Sequence, residues 1–233
     1  MIFNQGENES PLHFDDLTIG YRKGRREVVV ASGLSATLER GKLTCLLGRN
    51  GTGKSTLLRT LAGLQPPLNP QLSTLNSQLS TVNSQPSVAL VLTQRPDLRN
   101  LTAEEVVGLG RTPHTNFWGT LRADDRSIVA EALQLVGIET LANRPFETLS
   151  DGEQQKVMIA TALAQQTPMI FLDEPTAFLD FVSRRELFTL LKRLAHDHGK
   201  AILLTTHDLA LAEEFADTTW LLDDGKLQVS RPQ

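Results

Sequence analysis

Short runs of apolar residues alternate along the chain with longer stretches in which apolar residues recur every three or four positions. The first pattern is typical of buried strands and the second of helices. Buried strands are predicted at residues 43–47, 88–92, 169–172, 201–205 and 218–222, and helices at residues 54–62, 183–195 and 209–216. Because strands and helices alternate, the pattern predicts an α/β fold built on a mostly parallel sheet.

The N-terminal region has a different pattern, without helical spacing. Residues 12–19 alternate roughly between apolar and polar side chains, which predicts a strand. Residues 28–30 and 34–38 predict two further short strands, and residues 20–26 predict a turn.

A helical block interrupts the alternation of strands and helices. Residues 122–166 are predicted to be mostly helical, from the spacing of apolar residues such as Ile128, Ala132, Leu135 and Val136. The block therefore predicts a helical subdomain carried by the sheet core.

Two Ser/Thr-x-x-Glu sequences predict the starts of further helices. Thr102–Glu105 and Ser183–Glu186 have the pattern of a capping box, in which the side chains of the first and last residue satisfy each other's backbone N–H groups. The second is expected to open a helix that runs to about Ala195.

Residues 66–87 contain four prolines and no glycine, and a seven-residue segment occurs twice within them almost unchanged. Leu72, Leu75, Leu79 and Val82 fall at heptad-like spacing, but two heptads are too few for a coiled coil. Serine, threonine and asparagine are weak helix formers. The segment is interpreted as an irregular, low-complexity insert, with a functional helix as the alternative.

Composition and charge limit the partners and the compartment. The chain has 233 residues and a formal net charge of −4, which gives no electrostatic reason to expect nucleic acid as a partner. Its single cysteine, Cys45, lies in an apolar run and is interpreted as a buried small residue in a reducing compartment. Residues 1–11 lack the pattern of a signal peptide, and no apolar run is long enough to span a membrane. A soluble protein is expected, with any membrane link made through a partner.

Residues 48–55 fit the phosphate-binding pattern G-x-x-x-x-G-K-S/T and stand between a predicted strand and a predicted helix. Glycines let backbone N–H groups curve around phosphates, and the helix directs the positive end of its dipole toward them. Lys54 is expected to reach the β- and γ-phosphates, and Ser55 to offer its hydroxyl to Mg²⁺. The candidate nucleotide-binding residues here are Gly48, Arg49, Asn50, Gly51, Thr52, Gly53, Lys54, Ser55 and Thr56.

Two acidic residues follow the buried strand 169–172. Ligands of α/β sheets bind at the carboxyl ends of the strands, where Asp173 and Glu174 stand. Asp173 is expected to hold Mg²⁺ and Glu174 to act as the general base on an attacking water. An ordinary strand-to-turn junction is the alternative for this pair alone. Together with the phosphate-binding loop, the pair of acidic residues indicates binding and hydrolysis of Mg-ATP.

The segment Leu149–Gln154, before a predicted helix, resembles the LSGGQ signature of ATP-binding cassette (ABC) ATPases. The order of motifs matches that family over about residues 12–228. The resemblance implies one domain, residues 1–233, with a P-loop NTPase core at about 12–95 and 166–228. It also implies a helical subdomain at about 100–165 and a small antiparallel β-subdomain, which the insert at 66–87 makes atypical.

Further site residues follow from the resemblance alone. Gln94 corresponds to the glutamine that contacts Mg²⁺ and the attacking water, and His207 to the histidine that contacts the γ-phosphate. Asp180 corresponds to the D-loop aspartate. Tyr21 corresponds to the aromatic residue that stacks on adenine, although the residues around it are equally consistent with a simple turn residue. The catalytic candidates are thus Glu174, His207, Gln94 and Lys54, and the metal candidates are Ser55, Gln94 and Asp173.

In the family the signature covers the nucleotide of the opposite subunit, so the resemblance implies a homodimer with two composite sites. Ser150 and Glu153 form a capping box, which starts a helix whose free N–H groups attract anions. The chain departs from the family at Asp151 and Glu153, where glycine and glutamine are usual. We expect both to be tolerated, because Ser150 and the backbone around Gly152 would make the contact. The effect on dimer closure stays open. The signature candidates are Leu149, Ser150, Asp151, Gly152 and Glu153.

Residues Gly110–His114 resemble a motif of importer ATPases for iron-siderophores, haem and cobalamin, where the stretch faces the permease. Phe117 and Trp118 belong either to that interface or to the core of the helical subdomain. The resemblance implies an ATPase subunit that powers uptake through permease subunits, and indirectly a substrate-binding protein. It would lie at the cytoplasmic face of the cell (inner) membrane.

Four other functions are alternatives to this one. They are the ATPase of another ABC transporter type, a soluble ABC ATPase of DNA repair or translation, a nucleotide-gated module without turnover, and a small-molecule kinase. The soluble type usually carries a long coiled-coil insert or two cassettes. Intact Glu174 and His207 argue against the inactive module, and a kinase leaves Leu149–Gln154 unexplained.

Overall fold

The computed structural model describes residues 12–24, 26–69, 88–93, 98–115 and 120–231. Two sheets and six α-helices make up this part of the chain. The strands are β1 (Leu12–Lys23), β2 (Arg26–Leu38), β3 (Leu43–Leu47), β4 (Val88–Val91), β5 (Met169–Leu172), β6 (Ala201–Thr206), β7 (Thr218–Asp223) and β8 (Lys226–Ser230). The helices are α1 (Lys54–Leu61), α2 (Ala103–Leu109), α3 (Ala123–Val136), α4 (Asp151–Ala164), α5 (Phe181–His198) and α6 (Leu209–Phe215).

The larger sheet has the strand order β4-β5-β6-β3-β7-β8, and only β8 runs antiparallel to its neighbour. The smaller sheet is the antiparallel pair β1–β2. A mostly parallel sheet with helices, a small antiparallel sheet and a helical block of α2–α4 confirm the predicted fold class.

The continuous apolar runs of the central strands are explained by burial on both faces of the sheet. All residues of β3, β5 and β6 are buried. Alternate residues of β3 face two different cores: Cys45 packs on the side of the helical block and α5, and Leu46 packs on the side of α1 and the β1–β2 sheet. Burial raises the pKa of the Cys45 thiol to about 12, as expected for an unreactive core residue.

The turn predicted at residues 20–26 is wrong over most of its length, because β1 continues to Lys23 and β2 begins at Arg26. The two short strands predicted after it are one strand. Gly20 lies inside β1, at a shift in the register with β2. A Cβ atom there would stand 2.1 Å from the carbonyl oxygen of Val28. The glycine therefore permits a close approach of two strands rather than a turn.

The capping box predicted at Ser183–Glu186 is also wrong. Helix α5 begins earlier, and its N-cap is Asp180, whose side chain accepts a hydrogen bond from the backbone N–H of Ser183. One further strand was not predicted, and one predicted segment lies mostly outside the described residues. Strand β8 closes a hairpin with β7. Of the insert at 66–87, residues 66–69 are described and are neither helix nor strand, while the rest lie outside the description.

Candidate functional site

The loop between β3 and α1 is shaped by glycines that a side chain would disrupt. Gly53 has a φ of 105°, and a Cβ atom there would lie 2.3 Å from Cγ1 of Val30. At Gly48, a Cβ atom would lie 2.5 Å from the carbonyl oxygen of Leu222. Both contacts are too short, so the loop keeps its path only with glycine at these positions.

The side chain of Lys54 folds back over this loop and is buried. Its Nζ donates hydrogen bonds to the carbonyl oxygens of Gly48, at 2.9 Å, and Arg49, at 3.1 Å. The ammonium group is thus held at the loop, beside the α1 N-terminus.

A cleft of about 510 Å³ opens above the loop. Predicted residues from distant parts of the chain meet in it. Tyr21 belongs to β1 and is half exposed, while Glu174 follows β5. The cleft is lined by Tyr21, Val30, Asn50, Gly51, Gly53, Lys54, Ser55, Thr56, Thr93 and Glu174. Its size is within the range of small-molecule sites.

A hydrogen-bond network joins the predicted metal candidates beside the cleft. The Ser55 hydroxyl donates to Oδ1 of Asp173 at 3.0 Å, although the two residues are 118 positions apart. The Thr205 hydroxyl donates to the same oxygen at 2.8 Å. Asp173 is buried, so these bonds compensate the loss of water around its carboxylate.

Glu174 has an unusual backbone conformation. Its φ is 45°, in the left-handed region that residues other than glycine rarely adopt. Its N–H donates to the hydroxyl of Thr205 at 2.7 Å, which helps to hold the conformation. Such strained residues are concentrated at functional sites. The turn places Asp173 in the network and Glu174 in the lining of the cleft.

Two threonines at the strand ends belong to this arrangement, although no motif predicted them. Thr205 bridges Asp173 and the N–H of Glu174, and Thr93 donates to the carbonyl oxygen of Asp173 at 2.7 Å. The signal was present: both stand at or just after the end of a predicted strand, the edge at which ligands bind in such sheets.

The signature residues do not line this cleft in the same chain. Ser150 is the N-cap of α4 and forms the predicted capping box with Glu153. The segment borders a separate small pocket of about 120 Å³, shared with the start of α5, where Ser183 lies. Leu149 is buried, and Asp151 is exposed in the first turn of α4.

The remaining candidates are placed as follows. Asp180 is exposed, and hydrogen bonds from the N–H and the hydroxyl of Ser183 lower the pKa of its carboxyl. His207 is exposed directly after β6, next to Asp208, the N-cap of α6. Gln94 lies outside the described residues, as do Phe117 and Trp118.

Arg111 belongs to the stretch predicted to face the permease, but its side chain is not available to a partner. Its side chain is buried and donates to Oδ1 of Asp125 at 2.9 Å, to the carbonyl oxygen of Ala164 at 2.7 Å, and to Oε1 of Gln166 at 2.9 Å. It ties the end of α2 to the start of α3 and the end of α4. Within the predicted permease-facing stretch, only Thr112 and Pro113 are exposed.

No helix in the described part of the chain combines the length and the apolar character needed to cross a bilayer.

Comparison with known proteins assigns the family. The ABC transporter family matches residues 31–177. The Fe³⁺-hydroxamate import ATP-binding protein FhuC of Bacillus subtilis is 39% identical over 209 residues, which are 88% of this chain and 76% of the relative. The hemin import ATP-binding protein HmuV of Streptomyces coelicolor is 38% identical over 208 residues, which are 87% of this chain and 72% of that relative.

Solved structures agree in fold. A metal-chelate type ABC transporter in an inward-facing conformation superposes with a TM-score of 0.77 at 26% identity, covering 94% of this chain and 84% of that chain. The dimeric ATP-binding cassette MJ0796 in a post-hydrolysis state with ADP and Pi gives a TM-score of 0.74 at 26% identity, covering 95% and 98%. With a family match over more than half of its length and relatives above 30% identity, the chain belongs to the ABC transporter family and is an ATPase of that family.

Proposed function

We propose that this chain is the ATP-hydrolysing subunit of an ABC importer that takes up an iron chelate, haem or cobalamin through partner permease subunits. The observation that carries the ATPase site is the cleft itself, which brings Lys54, the Ser55–Asp173 pair and Glu174 to one place. The importer branch is supported by the hydroxamate and hemin relatives and by the metal-chelate transporter.

The geometry suits ATP. The backbone N–H groups of residues 48–55 and the α1 N-terminus would hold the phosphates, with Lys54 reaching the β- and γ-phosphates. Tyr21, exposed at the edge of the cleft, would stack on adenine. The Ser55 hydroxyl and an Asp173 oxygen, 3.0 Å apart, are oxygen donors of the kind that Mg²⁺ prefers, with Gln94 as a further proposed ligand. The bound ion would neutralise charge that develops on the phosphate oxygens.

Hydrolysis would proceed by attack of a water on the γ-phosphate, with cleavage of the bond between the γ-phosphorus and the bridging oxygen, which leaves with ADP. Glu174, which lines the cleft, would accept the proton of that water, and His207 would contact the γ-phosphate. The signature residues Leu149–Glu153 would close the site from a second copy, with Asp180 near the junction. A homodimer with two composite sites is supported by their location outside the cleft of their own chain and by the dimeric cassette neighbour.

We further propose that the core at about 12–95 and 166–228 and the helical subdomain at about 100–165 rock against each other as the dimer closes. That movement would drive the permease between its access states. The subunit would be attached to the cytoplasmic face of the membrane through the permease. A substrate-binding protein would deliver the cargo on the other side.

The composite site predicts that two inactive variants restore activity to each other. Lys54→Ala inactivates the phosphate loop and Ser150→Arg inactivates the signature, so each homodimer should be inactive. A mixed dimer has one intact site, and random pairing of an equal mixture should recover about a quarter of the normal ATPase rate. The readout is phosphate release after mixing.

The matched control mixes Lys54→Ala with the double variant Lys54→Ala/Ser150→Arg, which has no intact phosphate loop in any pairing and should stay inactive. Mixed dimers that form without recovering activity would contradict the composite site, as would normal activity of the Ser150→Arg homodimer.

Transport is tested with permease subunits that copurify with this chain, reconstituted in vesicles together with a substrate-binding protein. We expect ATP-dependent uptake of one of three radiolabelled cargoes: a ferric siderophore, haem or cobalamin. Uptake should be lost with Glu174→Gln. Accumulation of none of the three despite ATPase activity would reject the importer branch while leaving the ATPase assignment intact.

A further inference from the structure

Both polar hydrogens of Ser150 are donated to one carboxylate oxygen. The backbone N–H of Ser150 lies 2.8 Å from Oε2 of Glu153, and its hydroxyl lies 2.9 Å from the same atom. In return, the N–H of Glu153 donates to the Ser150 hydroxyl at 3.4 Å. The N-terminus of α4 is therefore capped from within its own chain.

The Ser150 hydroxyl is also one of the contacts, together with the backbone around Gly152, that the signature would make to the nucleotide of the opposite subunit. An incoming phosphate finds the Ser150 N–H and hydroxyl already bonded to an anion of the protein. Hydrogen bonds to a carboxylate are roughly twice as strong as those to a neutral acceptor. Binding of a phosphate must therefore displace the Glu153 carboxylate and also tolerate its negative charge nearby.

The carboxylate does not release Ser150 by taking up a proton at neutral pH. The Ser150 N–H, then its hydroxyl, lower the pKa of Glu153 below its ordinary value of 4.5, with further lowering by Arg144 and Lys156 and an opposing effect of burial. The stabilisation is therefore complete above about pH 4.5 and is lost only as the pH falls through the lowered pKa. At neutral pH, competition by another anion is the available route.

We propose that Glu153 is a positioning residue that sets the ATP concentration at which two subunits close. In the open subunit it holds the Ser150 donors, and on closure it gives them up to the triphosphate bound by the partner. The inference rests on the proposed function, in which Ser150 acts on the opposite subunit's nucleotide. Glu153 thus opposes closure of the dimer, and a neutral side chain at this position would oppose closure less.

The chain contains a matched control for this contact. At the start of α2, the Thr102 N–H and hydroxyl donate to Oε2 of Glu105 at 2.8 and 3.0 Å, and the Glu105 N–H donates back at 3.3 Å. This capping box has nearly the same geometry as that of Ser150 and Glu153. It is not part of the signature, so only its helix-capping role is shared.

The experiment compares Glu153→Gln with Glu105→Gln, each in a Glu174→Gln background that prevents turnover. Dimer formation is followed by analytical ultracentrifugation as ATP is raised. Glutamine keeps the size of the side chain and an acceptor oxygen but removes the charge. We expect the ATP concentration at half-maximal dimerisation to fall about tenfold with Glu153→Gln and to change less than about twofold with Glu105→Gln.

Equal ATP midpoints of dimerisation for the two variants, or a higher midpoint for Glu153→Gln, would contradict the proposed role of Glu153. Either result would leave the composite site unaffected. Absence of any ATP-dependent dimer in the Glu174→Gln background would instead reject the proposed function, and the proposed role of Glu153 with it. Thermal unfolding supplies a second readout. A purely structural role of Glu153 predicts similar small losses in Tm for both variants and no difference in ATP dependence.

Discussion

Replacing Glu174 with glutamine is expected to lower kcat for ATP hydrolysis by about 10²–10⁴-fold while ATP still binds. Glutamine has the same size but cannot accept the proton of the attacking water. The backbone contact with Thr205 is made by the N–H of residue 174, so the substitution leaves it in place. Loss of turnover without loss of binding should also trap ATP in a stable dimer.

Steady-state phosphate release and retention of labelled ATP on the protein measure the two effects. Glu213→Gln is the control, because Glu213 is an exposed glutamate on α6 that does not line the cleft. Its activity should be unchanged. Turnover within a few-fold of normal in Glu174→Gln would remove Glu174 as the base.

Replacing Arg111 with methionine is expected to lower the free energy of unfolding by about 3–5 kcal/mol. The substitution leaves Asp125 buried without the guanidinium that it pairs with, and removes the hydrogen bond to the carbonyl oxygen of Ala164. The pKa of Asp125 is lowered first by the N–H of Arg122 and further by the hydrogen bond and charge of Arg111. Its stabilising contribution is present above its ordinary value of 3.8 and is lost as the pH falls through the lowered pKa.

Urea unfolding at neutral pH measures the loss. Arg22→Met is the control, since the Arg22–Glu27 pair is exposed and should cost less than about 1 kcal/mol. The double variant Arg111→Met/Asp125→Asn should recover part of the loss, because it removes the unpaired buried charge. A loss as small as that of Arg22→Met would show that the buried pair contributes little.

The fold and part of the candidate site are predictable wherever a local sequence pattern is enough to determine the structure. The buried strands, the loop at 48–55 and the capping boxes at Thr102 and Ser150 each depend on residues close together in the sequence. The fold class was predicted correctly for this reason. The positions of the site residues in one cleft follow from parallel strands that end at a common edge.

The errors occur where a second residue competes or where partners are distant. Ser183 fits a capping box, but Asp180 is also a strong N-cap and starts the helix three residues earlier. Gly20 fits a turn as well as a strand, because glycine marks both turns and close contacts between strands. The burial of Arg111 depends on Asp125, Ala164 and Gln166, which no local pattern connects with it.

The pairing of β5 with β6 has a consequence for how this enzyme tolerates change. Leu172 stands opposite Leu204, so the next residue on each strand, Asp173 and Thr205, meet at the edge of the sheet. A one-residue slip of β6 would turn Thr205 to the opposite face and separate it from both acidic residues. An insertion or deletion inside these buried strands would therefore disrupt the site as well as the packing of the core. The number of residues in each strand is constrained by both effects.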